Sequence, residues 1–193
     1  MGCGYQPWEL LSARLRDPNL TAYQVDEITA DLFKMRSSSP LIVSGVFISY
    51  SHTDAAGLAL KLYERLKRNG ASCWLDQHDM VAGAMAAQVE RALRLNDVVV
   101  LILSRASLQS DWVNYEITRA RAKEKSEGRE VLCPIAIDDS WKDAKIATAI
   151  DPILFNYLLQ KYNVLDFTNW ETDAFEGAFQ KLWAGLKIFY PRN

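Results

Sequence analysis

The sequence is poor in the residues that build metal centres and disulfide frameworks: its 193 residues include three cysteines and two histidines. Cys3, Cys73 and Cys133 are an odd set, and the latter two lie in apolar, strand-like runs. They read as small buried hydrophobes in a reducing compartment. His52 and His78 lack companions at metal-ligand spacing, so no metal is expected. Charge of one sign is also lacking. Lys and Arg number 22 against 24 Asp and Glu, a formal net charge of −2, which leaves no electrostatic footprint for nucleic acid or an anionic membrane. The longest apolar run, Val98 to Leu103, is the length of a strand and far short of a membrane span. Met1-Gly2-Cys3-Gly4-Tyr5-Gln6 has the outline of an acylation signal but carries Gln6 where Ser or Thr is needed, so lipidation is not expected. A cytoplasmic protein with no nucleic-acid or membrane partner is the expectation.

What is present is a rhythm. Residues 1–40 are expected to form a helical extension and linker: Trp8, Leu11 and Leu15 recur at helical spacing, as do Val25, Ile28, Leu32 and Met35 behind a Thr21-x-x-Gln24 capping box. This hairpin either packs on the main domain or serves as a self-association element or a partner-docking surface. Arg36 to Pro40 reads as linker. From residue 41 to 193, strand and helix patterns alternate five times.

The strands are predicted at LIVSGVFISY from Leu41, Ala71 to Leu75, Val98 to Leu103, Glu130 to Ile137 and Asn163 to Phe167. Pro134 places the fourth near a sheet edge or bulge. The helices are predicted over about 55–68, closed by Asn69-Gly70; in a second segment with Met85, Val89 and Ala92 inward; from Ser110 to about Glu127; over 139–160 with a break at Asp151-Pro152; and over 172–187 with Phe175, Phe179, Leu182 and Leu186 on one side. Alternation of this kind demands an α/β fold, a flavodoxin-like doubly wound five-stranded parallel sheet with helices on both faces.

Many chemistries use such a sheet, and missing motifs remove several. There is no G-x-x-x-x-G-K-[ST] loop, no G-x-G-x-x-G after a strand and no G-x-S-x-G elbow. The acidic cluster of a phosphoacceptor receiver is replaced by Ser49-Tyr50-Ser51 and Ser104. The remaining rim, read from the strand ends, is Ser49, Tyr50, Ser51, His52, Asp76 and Ser104, with Trp112 and Glu116 one helical turn apart on the following helix. An aromatic, hydroxyl-rich and acidic rim suits a ribose and a flat base. A core aromatic and a solvated carboxylate are the plainer alternatives for Trp112 and Glu116, and pattern alone leaves both readings open.

Val46-Phe47-Ile48-Ser49-Tyr50-Ser51, the run LKRNGASCWLD from Leu66 to Asp76, the S-x-x-S-x-x-S-x-W-x-x-x-E string from Ser104 to Glu116, and FTNW from Phe167 to Trp170 resemble the successive boxes of a Toll/interleukin receptor (TIR) domain of bacterial type. The resemblance runs from about Val43 to the C-terminus.

In the enzymatic branch of that family, NAD is cleaved at the nicotinamide–ribose bond. The resemblance implies Glu116 as the catalytic acid, and Tyr50, Ser51, Asp76, Gly83, Ser104 and Trp112 as substrate-binding residues. It also implies a mobile loop around Asp79 to Ala84, where Ala82 replaces a common Pro. The function so implied is that of an NAD glycohydrolase or cyclase releasing nicotinamide and ADP-ribose or a cyclic isomer, in antiviral or stress signalling. NAD would be its substrate, no cofactor would be needed, and the chain would form a homo-oligomer through TIR–TIR contacts, with the N-terminal helices as a further contact. The alternative is a non-enzymatic TIR scaffold acting through assembly alone.

Overall fold

The computed structural model describes residues 43–75 and 96–189, with isolated positions between 14 and 31 and between 90 and 93. In chain order the elements are β1 (Val43–Ser49), α1 (Ala56–Arg68), β2 (Ala71–Leu75), β3 (Val98–Leu103), α2 (Asp111–Glu127), β4 (Leu132–Ala136), α3 (Pro152–Lys161), β5 (Leu165–Asp166) and α4 (Ala174–Phe189). The strands lie in the order β2-β1-β3-β4-β5 and every neighbouring pair is parallel. This is the doubly wound flavodoxin-like arrangement, with its topological switch point between β1 and β3.

Strand alternation sorts the core into two faces. Val46 and Ile48 of β1 join Val98, Val100 and Ile102 of β3 against Leu58, Leu62 and Leu66 of α1 and Phe179, Leu182 and Leu186 of α4. Phe47 joins Val99, Leu101 and Leu103 against Val113, Ile117 and Ala120 of α2 and Phe155 and Leu158 of α3. All six β3 residues are at most 2% exposed, as a central strand covered on both faces requires. Full burial of each Leu, Ile or Phe contributes about 2 kcal/mol, so the central strands anchor the site at their carboxyl ends.

Two helices end as expected, on glycines in the left-handed region: Gly70 at φ 84 behind α1 and Gly128 at φ 66 behind α2. That conformation is nearly free for glycine and strained for other residues. Pro134 lies beyond the short β5 ladder, which pairs only with Ile135 and Ala136. The edge position tolerates its missing N–H.

The helix expected over 139–160 is corrected. Residues Asp139–Lys142 form one 3-10 turn, and α3 begins only at Pro152. Three aspartates account for the break. Asp138 accepts from Ser140 N at 2.8 Å, Asp143 from Lys145 N at 2.9 Å, and Asp151 from Ile153 N and Leu154 N at 2.9 and 3.2 Å. Such side chains give the backbone partners outside a helix, while Pro152 fits the first helical turn. The outer strands are also shorter than expected, at five residues for β4 and two for β5.

In the N-terminal extension the capping box is present. Gln24 N donates to Thr21 Oγ1 at 3.3 Å and Thr21 N to Gln24 Oε1 at 2.9 Å, and Ile28 is buried. The rest of the expected hairpin, including Trp8, Leu11, Leu15, Val25, Leu32 and Met35, lies outside the described residues, as do Met85 and Val89 of the expected second helix. Ala92 of that segment is buried on the α2 side of the sheet.

Candidate functional site

The site is built where β1 ends. Ser49 follows Phe47 by two residues, so it projects to the same face of the sheet, toward α2. On α2, Glu116 falls beside the stripe of Val113, Ile117 and Ala120 that covers this face. The two polar residues thus meet at the end of an otherwise apolar contact. Glu116 is 2% exposed and Ser49 3%, and the Ser49 hydroxyl donates a hydrogen bond to Glu116 Oε2 across 67 residues of sequence. Burying a carboxylate costs several kcal/mol unless hydrogen bonds compensate. A residue that breaks the apolar pattern in this way, at the carboxyl edge of a doubly wound sheet, is a candidate functional position.

A second set of bonds shapes the wall formed by the β3–α2 connection. Asp54, in the β1–α1 loop, accepts from Ser104 Oγ at 2.7 Å through Oδ1 and from Ala106 N at 3.0 Å through Oδ2. Ser104 and Ser107 exchange backbone and side-chain bonds: Ser104 N donates to Ser107 Oγ at 2.8 Å and Ser107 N to Ser104 Oγ at 3.1 Å. Asp138, after β4, accepts from Arg105 N at 3.0 Å. Two carboxylates from flanking connections therefore hold one turn. Ser110 follows with extended backbone, φ −101 and ψ 123, and its carbonyl accepts from Val113 N at 3.1 Å, the backbone geometry of an N-cap.

The structure brings some of the expected site residues to one sheet edge. Glu116 and Ser49 are bonded. Tyr50 is buried in the cluster on the α1/α4 face, with its ring stacked on His52 at a centroid distance of 4.9 Å. Ser51 is half-buried and its Oγ accepts from Thr53 N at 3.2 Å. Ser104 is fully buried, with its hydroxyl engaged by Asp54. Trp112 is placed in the first turn of α2 by its backbone, but its side chain, with Asp76, Gly83 and the loop from Asp79 to Ala84, lies outside the described residues.

The sequence did not mark Asp54 or Asp138, and it showed Ser107 only as part of the serine string from Ser104 to Glu116. Their signal was a short polar residue in the connection that follows a strand, where such side chains satisfy turn backbone.

Glu124, two turns beyond Glu116 on α2, is the informative contrast. It too is buried, but it accepts from Val131 N at 2.8 Å, Leu132 N at 3.1 Å, Lys161 Nζ at 2.7 Å, Tyr162 OH at 2.6 Å and Tyr157 OH at 3.2 Å. Burial alone would raise its pKa. The bonds from Lys161, Tyr162, Val131 and Leu132 overcome that and hold it below the ordinary glutamate value. Glu124 ties α2 to β4 and α3 at the opposite edge of the sheet; Glu116 stands at the edge where ligands bind.

With the fold and this edge in place, the family is defined. A family profile described as TIR domain matches residues 46–183, and the chain belongs to the TIR domain family. Among curated proteins it is 28% identical over 148 residues to the NAD(+) hydrolase TirS of Staphylococcus aureus, covering 75% of this chain and 50% of that protein. It is 28% identical over 91 residues to the 2' cyclic ADP-D-ribose synthase AbTIR of Acinetobacter baumannii, covering 47% of this chain and 34% of that protein. The matched region spans half or less of these relatives. Among solved structures, the TIR domains of the activated Roq1 resistosome, which directly recognises the pathogen effector XopQ, superpose with a TM-score of 0.58 at 14% identity, covering 73% of this chain and 98% of that one. Among the described residues no helix is long and apolar enough to cross a membrane.

Proposed function

We propose that this TIR domain cleaves NAD at the nicotinamide–ribose bond, with Glu116 as the carboxylate that acts on the ribose. The observation that carries the reading is the placement of Glu116: a buried acid at the carboxyl edge of the sheet, beside the switch point, held by a hydroxyl from the neighbouring strand. In the bond-breaking step the C–N electron pair leaves with the nicotinamide nitrogen, which becomes neutral, and positive charge develops on the ribose. A carboxylate held nearby stabilises that oxocarbenium-like transition state and orients the ribose hydroxyls. Because the leaving group is already cationic in NAD, the step needs no metal and no cofactor.

Addition of water to the ribose carbon, with loss of one proton, gives ADP-ribose; addition of a hydroxyl from the same molecule, again with loss of a proton, gives a cyclic isomer. Tyr50, Ser51, Asp76, Gly83, Ser104 and Trp112 are proposed to surround the nucleotide. Self-assembly through TIR–TIR contacts in the cytoplasm, with residues 1–40 as a further contact, belongs to the same proposal.

Purified protein incubated with NAD is expected to release nicotinamide, and Glu116→Ala is expected to abolish the release. Equal rates in both would remove Glu116 from the chemistry. No release from the wild type, including at high protein concentration, would favour a scaffold that works by assembly alone.

A further inference from the structure

Resting on this reading, we infer that Ser49 is a positioning residue for Glu116, holding its carboxylate by the hydrogen bond that joins β1 to α2. Nearby core positions on this face, Phe47, Val99, Leu101, Leu103, Val113 and Ile117, are apolar. Ser49 is the polar position at the point where that packing reaches the ligand-binding edge. A serine hydroxyl has one proton to donate, and here it goes to Glu116 Oε2, although the carbonyls of a strand end are also within a serine's ordinary repertoire.

A glutamate has three rotatable side-chain bonds, and a catalytic carboxylate must be held within about half an ångström of its working position. On α2 the apolar neighbours restrict where the chain of Glu116 can run, but they cannot orient its oxygens. A donor can, and Ser49 supplies one from a rigid central strand whose register against β3 pairs Ser49 with Leu101. A misplacement of about 1 Å costs on the order of a hundredfold in rate. The effect of losing the hydroxyl therefore belongs in kcat rather than in NAD binding.

Two substitutions separate this role from simple packing. Ser49→Ala is expected to lower kcat for nicotinamide release by about 10- to 100-fold, with KM changed by less than about threefold, while the melting temperature stays within a few degrees. Ser49→Thr keeps the hydroxyl and is expected to recover most of the rate. A second readout is independent of turnover. In protein carrying carboxyl-labelled glutamate, the Glu116 signal, assigned by its loss in Glu116→Ala, is expected to move its titration midpoint upward by about one pH unit in Ser49→Ala, because the lost bond favoured the ionised form.

An unchanged midpoint and an unchanged kcat in Ser49→Ala, with active wild type, would overturn the inference and leave the function standing. A wild type that does not turn over NAD would instead overturn the catalytic reading, and Ser49's role in it, even where the midpoint moves. Loss of rate in Ser49→Thr as deep as in Ser49→Ala would show that fit, not the hydroxyl, matters, and would also overturn the inference.

Discussion

Asp54 and Ser104 stand 50 residues apart in sequence, and in the fold the Ser104 hydroxyl donates to Asp54 Oδ1 at 2.7 Å while the other carboxylate oxygen accepts from Ala106 N at 3.0 Å. One side chain thus fastens the loop after β1 to the turn after β3, across the switch point of the sheet. Both segments follow strand ends at the carboxyl edge of the sheet, the edge at which Ser49 meets Glu116.

Asp54→Ala removes both acceptors and leaves the buried Ser104 hydroxyl without its carboxylate. An orphaned buried donor costs about 1–3 kcal/mol, much of which a surface turn recovers by admitting water. The expected outcome is a melting temperature lowered by only a few degrees and nicotinamide release lowered about tenfold or more, measured on the same preparation. Full activity in a folded Asp54→Ala protein would show that this clamp does not shape the site.

Glu124 sets an acid limit on stability. Its pKa lies below the ordinary glutamate value of 4.5, so between the two values the unfolded chain binds the proton and the folded chain does not. The stability it contributes is present above about 4.5 and is lost as pH falls through its folded value. Urea titrations across this range are expected to show a fall in midpoint that is shallower in Glu124→Gln. Glu124→Ala is expected to cost about 3–5 kcal/mol near neutral pH, since it strips a buried network of its acceptor. A cost below 1 kcal/mol would contradict the assignment.

Cys133, in β4, has a thiol pushed up to about 12 by burial and by the nearby Glu130 charge. The thiolate is the nucleophile, so at pH 8 the folded protein presents almost none of it. Alkylation with iodoacetamide followed by peptide mass mapping is expected to leave Cys133 unmodified until denaturant is added. The sign for stability follows: at alkaline pH the unfolded chain releases this proton first, so stability declines as pH rises above the ordinary thiol value of 9.

Gly57, in the first turn of α1, faces the edge of the Trp170 ring. A Cβ built on it would sit 2.7 Å from the ring. Gly→Ala in a helix gains up to about 1 kcal/mol, less in a first turn, whereas overpacking costs about 1–3 kcal/mol. The ring packs against the core on the α1/α4 face, and Lys61 Nζ donates to the Trp170 carbonyl at 2.8 Å, which fixes the backbone that carries it. Gly57→Ala is therefore expected to lower the midpoint of thermal unfolding, and an increase would show that Trp170 moves freely.

Periodicity made much of the fold legible. The unbroken run Val98 to Leu103 announces a strand covered on both faces, and Phe175, Phe179, Leu182 and Leu186 announce one buried helical face; both are found. The Glu116 and Ser49 positions were each readable as strand-end or helix-face residues. Their bond was not, because it depends on how β1 registers against α2, a tertiary relation with no local signature. The stretch after Ile137 misled for a different reason. Trp141, Ile146, Ala147 and Ile150 do pack into the core, but aspartates at 138, 143 and 151 turn the backbone between them, and apolar spacing alone does not report that competition.

The central claim is that Glu116 performs chemistry on NAD, and proton NMR of the reaction itself tests it most directly. Wild type and the isosteric Glu116→Gln are compared at equal concentration after both are shown to be folded, while free nicotinamide and the ribose anomeric signals are followed over time. The expected result is loss of the NAD signals with matching growth of nicotinamide and of ADP-ribose or a cyclic isomer in the wild type, and rates lower by at least about 100-fold in Glu116→Gln. Equal progress curves for the two proteins would contradict the account.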